Sequence, residues 1–423
     1  MYFEGNIILP RIICLLILGG CFFAVLKGRV ELVLGAYLAL ISSARTIMFG
    51  PIALFWVLAA TIAFATVSIY ALRARSSSFY SFHDRWIFLW MGHWFFWTAV
   101  LISFLDPGIA KACFRNLLMW IILPLPAILL FAGELTRVKV FAWSFVITSV
   151  LNSALIIDIP ALLQGAFRFF DVYNYHRIGV GLGIATIFAF ALLHQARKIS
   201  ARMLITGVFL FLAMALYANG SRLNMIAASA SLVILFLWAL TCSTEFKKYI
   251  MVLLGIGVAM AMWLYAQAPY LLVRALPDQI EEKFIGDVNL RFRVWHQGLE
   301  KFYESPVWGF AFSWDGAHNL FIGIMVDEGL VGMIFFGGLL IFVGRQCRLL
   351  WRRRSPEDQA LWEMVFQCMF LYGMVRGQFS GNALSIWEMY WSAAFLWCFA
   401  SRPRIQDEKP RNELTILRPV RVY

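Results

Sequence analysis

An all-α polytopic membrane protein is the fold class predicted, and three observations predict it. Hydrophobic residues make up 61% of the 423-residue chain and charged residues only 14%, a balance outside the range of soluble globular domains. Apolar runs of about 20 residues, the length a helix needs to cross a bilayer, recur along nearly the whole chain. Short alternating apolar and polar segments, the mark of a membrane β-barrel, do not appear. Backbone groups in hydrocarbon must be satisfied within their own segment, so each run is expected to be a helix.

Taken in order, the first run at about 7–26 lacks a basic leader and a small-residue cleavage site, and is expected to remain as a span. The second, at about 31–44, is short enough to cross or to re-enter. Further spans are expected at about 51–72, 86–105, 114–132, 138–158, 178–196, 203–218, 223–242, 249–267, 320–344, 360–376 and 385–401, about 12 to 13 transmembrane helices in all. Arginine and lysine in short loops set the orientation. Arg345, Arg348, Arg352, Arg353 and Arg354 form the densest cluster and mark the cytoplasmic side. The chain reads as a single integral membrane domain, 1–423, with one long loop at 268–319 on the opposite side and a polar, basic cytoplasmic tail at 402–423. Short helices are expected in the long loop, one of them near 290–303 and ended by Ser305 and Pro306.

The net charge of +12 follows from arginines in topology-setting loops and does not call for nucleic acid. The seven cysteines are scattered singly, which supports neither a disulfide framework nor a zinc site. No P-loop, HExxH or metal-spaced acidic pair is present, so neither a metal nor a cofactor is indicated.

Polar residues that could carry chemistry gather away from the cytoplasmic cluster. His318 and Asn319 open the apolar run at 320. On a helix at about 100° per residue, Gly329 and Gly332 fall within roughly 40° of His318, a seam on which a neighbouring helix could pack closely. Glu328 flanks that face. A histidine at a helix end is more often structural than catalytic, so its surroundings decide. Arg177 precedes the span at 178, Arg222 precedes the one at 223, and Arg291 lies in the long loop, all against the usual topological bias. Arg376, at the end of the span at 360, adds to them. Snorkelling to lipid headgroups explains many such residues singly. Helix N-termini repel arginine unless an anion is also present, so Arg177 before Gly179, Gly181 and Gly183, and Arg222 after Asn219, Gly220 and Ser221, read as phosphate sites. The glycines would let backbone approach the phosphate. In the loop helix, Phe292, Trp295, Leu299 and Phe302 form an apolar stripe. Arg291 lies beside the stripe and Arg293 points away from it. The segment also fits a helix lying flat on a membrane surface. Glu328, Glu363 and Glu388, costly within spans, are expected in structural ion pairs with arginines.

These motifs together resemble the O-antigen ligase and polymerase superfamily. His318 and Asn319 followed by Gly329 and Gly332, the upstream run from Arg291 to Trp295, Ser305, Pro306 and Gly309, and the sequence Asn219 to Arg222 each match its pattern. Arg177 with Gly179 and Gly181 matches a looser one. The resemblance implies a glycosyltransferase of the bacterial cell inner membrane, multi-pass, with its active site facing the periplasm. Its donor would be a glycan on undecaprenyl pyrophosphate. A ligase moves the finished chain to lipid A–core; a polymerase moves a growing chain to the next lipid-linked repeat unit. Both are metal-independent in the family. His318 would then be the general base, with inversion at the anomeric carbon, and Arg222, Arg291 and Arg177 would bind the pyrophosphate. Asn319, Glu328, Gly329, Gly332 and Trp295 would support the site. Ligase is the first reading and polymerase the second. A lipid-linked sugar transporter is a third, disfavoured because it calls for polar residues along mid-span and helices broken in paired halves.

Overall fold

The computed structural model describes residues 19–20, 27–40, 48–49, 52–53, 59–63, 118, 122–156, 175–219, 221–242, 255, 262, 280–310, 319–352, 355, 357–380 and 386–401; at 48–49, 52–53, 155–156, 175–177, 218, 222, 242, 280–289 and 379–380 the description is of the backbone alone. In chain order the elements are α1 (Val30–Leu40), β1 (Met48–Phe49), β2 (Ile52–Ala53), α2 (Pro124–Phe131), α3 (Leu135–Ile156), α4 (Tyr175–Gln195), α5 (Ile199–Ala218), α6 (Arg222–Cys242), α7 (Ile280–Glu304), α8 (Leu320–Arg352), α9 (Glu357–Ser380) and α10 (Trp387–Ala400). The antiparallel pairing of β1 with β2, two residues each, is the departure from all-helical structure among the described residues.

Four helices are long and apolar enough to cross a membrane by length and composition, over Ile178–Gln195, Ile199–Tyr217, Leu223–Thr241 and Leu320–Arg352. The chain is therefore a helical membrane protein. Helices also occupy the spans expected at 138–158, 360–376 and 385–401. The span expected at 86–105 and the tail at 402–423 lie outside the described residues, as does most of 51–72 and nearly all of 7–26 and 249–267. The second run, expected to be short, is described as the 11-residue helix α1, with 41–44 outside the described residues. One expectation changes: in the long loop, α7 runs for 25 residues in place of a short piece. Its end at Ser305 and Pro306 is as expected.

Helix α4 is the pillar of the bundle: 89% of its apolar window is buried, against 22% for α5 and 33% for α6. Phe141 and Phe145 of α3, Phe188 of α4, Phe366 of α9 and Phe395 of α10 close the core around it, with Phe366 stacked on Phe395 at 3.9 Å and Phe188 edge-on to Phe145 at 5.4 Å. The exposed faces of α5, α6 and α8 carry Met203, Leu204, Val233, Leu237, Ile334 and Ile341. Such a face is stable against lipid and not against water.

Each end of the bundle holds a buried ion pair. At one end Arg137 of α3 donates to Glu31 of α1 at 2.6 and 3.0 Å and to the Gly28 carbonyl at 3.2 Å. Lys139 of α3 bonds Asp358 of α9 at 2.9 Å nearby, so α3 and α9 both start there. At the other end, where α4, α6, α8 and α10 start and α9 finishes, Arg376 grips Glu388.

Candidate functional site

The starts of α4 and α6 are built on one another. Gly179, in the first turn of α4, has no room for a side chain: a Cβ there would overlap the Asn224 amide and stand 2.7 Å from Asn219 Nδ2 and 3.1 Å from Ser221 Cβ. Asn219 ends α5, its N–H donating to the Ala215 carbonyl at 2.9 Å. Asn224 Nδ2 donates to Ser221 Oγ at 2.8 Å, and Tyr372 Oη of α9 donates to Asn224 Oδ1 at 3.0 Å. Arg222 is the first residue of α6, between these two polar groups, and Arg177 stands two residues before Gly179. Their backbones therefore leave the bundle at the same end and close together; their side chains lie outside the described residues. The surroundings of Gly179 are filled by asparagines, and a Cβ on Gly183 would stand 2.7 Å from Tyr372 Oη. Both glycines make room for protein side chains.

His318 lies outside the described residues. Its neighbour Asn319 caps α8: Oδ1 accepts from the Phe321 and Ile322 N–H groups at 3.0 and 3.2 Å. Asn319 Nδ2 faces the carbonyl and side-chain oxygens of Gln378, each at 3.5 Å. Beside it Leu320 packs on Gly377, where a Cβ would stand 3.0 Å from Leu320 Cδ2 and 3.2 Å from Ile386 Cγ2. The residue after His318 is thus seated on the end of α9, at the same end of the bundle as Arg177 and Arg222.

The helical seam expected from His318 through Gly332 does not continue as one helix. Gly329 has φ 65° and ψ −158°, which breaks α8. The backbone of residues 306–310 fills the break. Phe310 N–H donates to the Val326 carbonyl at 2.8 Å, while Leu330 and Val331 N–H groups donate to the Pro306 and Val307 carbonyls at 2.8 and 3.3 Å. The groups freed by the break are satisfied by another part of the chain, as non-helical backbone at membrane depth requires. Two glycines allow the fit. A Cβ on Gly329 would overlap the Val307 carbonyl, and one on Gly309 (φ 68°) would stand 2.5 Å from the Asp327 carbonyl carbon. Gly332 makes room for the side chain of Glu328, whose Oε2 lies 2.8 Å from where a Cβ would be. The two glycines of the motif therefore admit a loop and a carboxylate, and not a neighbouring helix.

Through this clamp α7 is docked on α8. Arg291 is half-buried and Arg293 exposed. Trp295 is half-buried, and its buried indole N–H has no hydrogen-bond partner among the described residues. Phe302 is buried, whereas Phe292, 59% exposed, leaves the expected stripe and meets Trp295 edge-on at 5.4 Å. Lys301 stands 4.4 Å over the Phe310 ring.

Glu328 is buried, and Tyr390 of α10 is within electrostatic reach of both Glu328 and Glu388. Arg376 binds Glu388 in two parallel hydrogen bonds, Nε to Oε1 at 2.6 Å and Nη2 to Oε2 at 2.9 Å. Glu388 is thus paired as expected. Arg376, read as one of a set of outer arginines, is held by a protein carboxylate. Glu363 accepts from Ser355 Oγ at 2.8 Å and Gln359 Nε2 at 2.7 Å. Among the described residues no three His, Cys, Asp or Glu side chains gather as a metal site.

Sequence reasoning missed Tyr372 and Asn224, and it noted Gly309 as a motif residue without its contact on Asp327. Asn224, two residues beyond the arginine motif, carried a signal as a polar residue early in an apolar span. A tyrosine within an aromatic-rich span carried none.

Residues 207–337 match the family model described as O-antigen ligase, the superfamily that the motifs resemble. The matched stretch holds Arg222, Arg291, Trp295, His318, Asn319, Glu328, Gly329 and Gly332, and leaves out Arg177, Tyr372 and the Arg376–Glu388 pair. No curated protein matches the chain.

Proposed function

We propose that the protein is a glycosyltransferase that moves a glycan from undecaprenyl pyrophosphate to a sugar hydroxyl of lipid A–core on the periplasmic face of the bacterial inner membrane. The observation that supports this most directly is the convergence, at one end of the bundle, of the backbone origins of Arg177 and Arg222 with the capped start of α8 next to His318. In this reading His318 accepts the proton of the acceptor hydroxyl as its oxygen bonds to the anomeric carbon. The bond from that carbon to the pyrophosphate oxygen breaks on the opposite side, inverting the configuration, and its electron pair leaves with the pyrophosphate. Arg222, Arg291 and Arg177 stabilise the charge that develops there. No metal ion takes part.

The test is reconstitution of purified protein with lipid-linked glycan and lipid A–core. Wild type should yield glycosylated core. His318→Ala should yield none while remaining inserted and folded, and Arg222→Lys should be severely impaired because a bidentate contact becomes a point charge. Full transfer by His318→Ala overturns the base assignment. Products elongated on the lipid carrier in place of core would identify a polymerase.

A further inference from the structure

We infer that Tyr372 is a positioning residue for this transfer, acting on Arg222 through Asn224; the inference rests on the function proposed above. Tyr372 makes two contacts, one of which is relayed to a third residue. Its hydroxyl donates to Asn224 Oδ1 at 3.0 Å, and the same amide donates to Ser221 Oγ at 2.8 Å, so the two polar residues flanking Arg222 are tied to α9 through one side chain. All three groups are buried, where a hydrogen bond is not exchanged for water and its loss is felt in full. The tyrosine ring rests on Gly183 of α4, the helix whose first turn carries Arg177.

The remainder of α9 gives the arrangement its purpose. Gly377 and Gln378, five and six residues beyond Tyr372, seat Leu320 and Asn319, the residues that follow His318. Six residues of helix span about 9 Å. The last two turns of α9 therefore hold Asn319, the residue after the proposed base, and the backbone origin of a pyrophosphate-binding arginine at a set separation, with Tyr372 at the arginine end. Small displacements of such groups cost large factors in rate.

The experiment is a double-mutant cycle in the reconstituted transfer assay, with wild type, Tyr372→Phe, Arg222→Lys and the double variant, reading kcat, KM and thermal melting. Tyr372→Phe should lower kcat about tenfold with KM nearly unchanged, and in the Arg222→Lys background it should cause little further loss. Should Tyr372→Phe fail to accumulate, Asn224→Asp keeps the acceptor for the tyrosine and removes the donor to Ser221, and is read in the same way. Losses that multiply in the double variant, or wild-type kcat in Tyr372→Phe, overturn this inference alone. Wild-type protein that transfers no glycan overturns the functional reading and this inference with it.

Discussion

Replacing Gly329 with alanine tests how α8 and the segment before it are joined. The backbone there, at φ 65° and ψ −158°, is essentially confined to glycine, and a non-glycine residue held in such a region costs about 1–3 kcal/mol. The added Cβ would also overlap the Val307 carbonyl and stand 2.7 Å from the Trp308 nitrogen, both backbone atoms that cannot swing aside. Relief requires the 306–310 segment to lift, which loses the bonds from Leu330 and Val331 to Pro306 and Val307, about 0.5–1.5 kcal/mol each. A loss of about 3–5 kcal/mol follows from these terms together. The assay is thermal unfolding of purified protein in detergent, followed by tryptophan fluorescence. Gly337→Ala and Gly338→Ala are the controls: neither site has a neighbour within 4 Å, so alanine there should be neutral or stabilising by up to about 1 kcal/mol. A Gly329→Ala protein that melts with these controls refutes the clamp.

Two other substitutions test the same end of the bundle. Glu388→Gln should cost about 3–5 kcal/mol by leaving the Arg376 guanidinium buried without its carboxylate, whereas the double change of Arg376 and Glu388 to methionine should recover most of that; a fall in melting temperature no larger for the single than for the double variant would refute the pairing as a source of stability. Asn319→Ala removes the cap of α8 and should cost about 1 kcal/mol in the same melting experiment, whereas Asn319→Asp should avoid most of that loss because its side chain can still accept both N–H groups.

Hydropathy by itself determined that the described chain is helical and membrane-embedded, because burying a backbone in lipid leaves it few other forms. Local chemistry determined where α7 ends, at Ser305 and Pro306, since proline cannot follow within a helix. The order of residues around Arg222, Arg291 and His318 was enough to indicate the family whose model residues 207–337 match. What Gly329 and Gly332 do was decided only by tertiary structure. Two glycines three residues apart read equally as a helix seam or as a break, and what chooses between them is the backbone of Val307 and Trp308, some 20 residues upstream and free to dock there only once α7 has folded against α8. The same holds for Arg376, whose charge is visible in the sequence while its pairing with Glu388, 12 residues on and in the next helix, is not. Tyr372 is the furthest case. An aromatic residue in an apolar span has no period or neighbour that marks it, and its hydroxyl acquires a role only because α6 and α9 pack together and bring Asn224 within 3.0 Å.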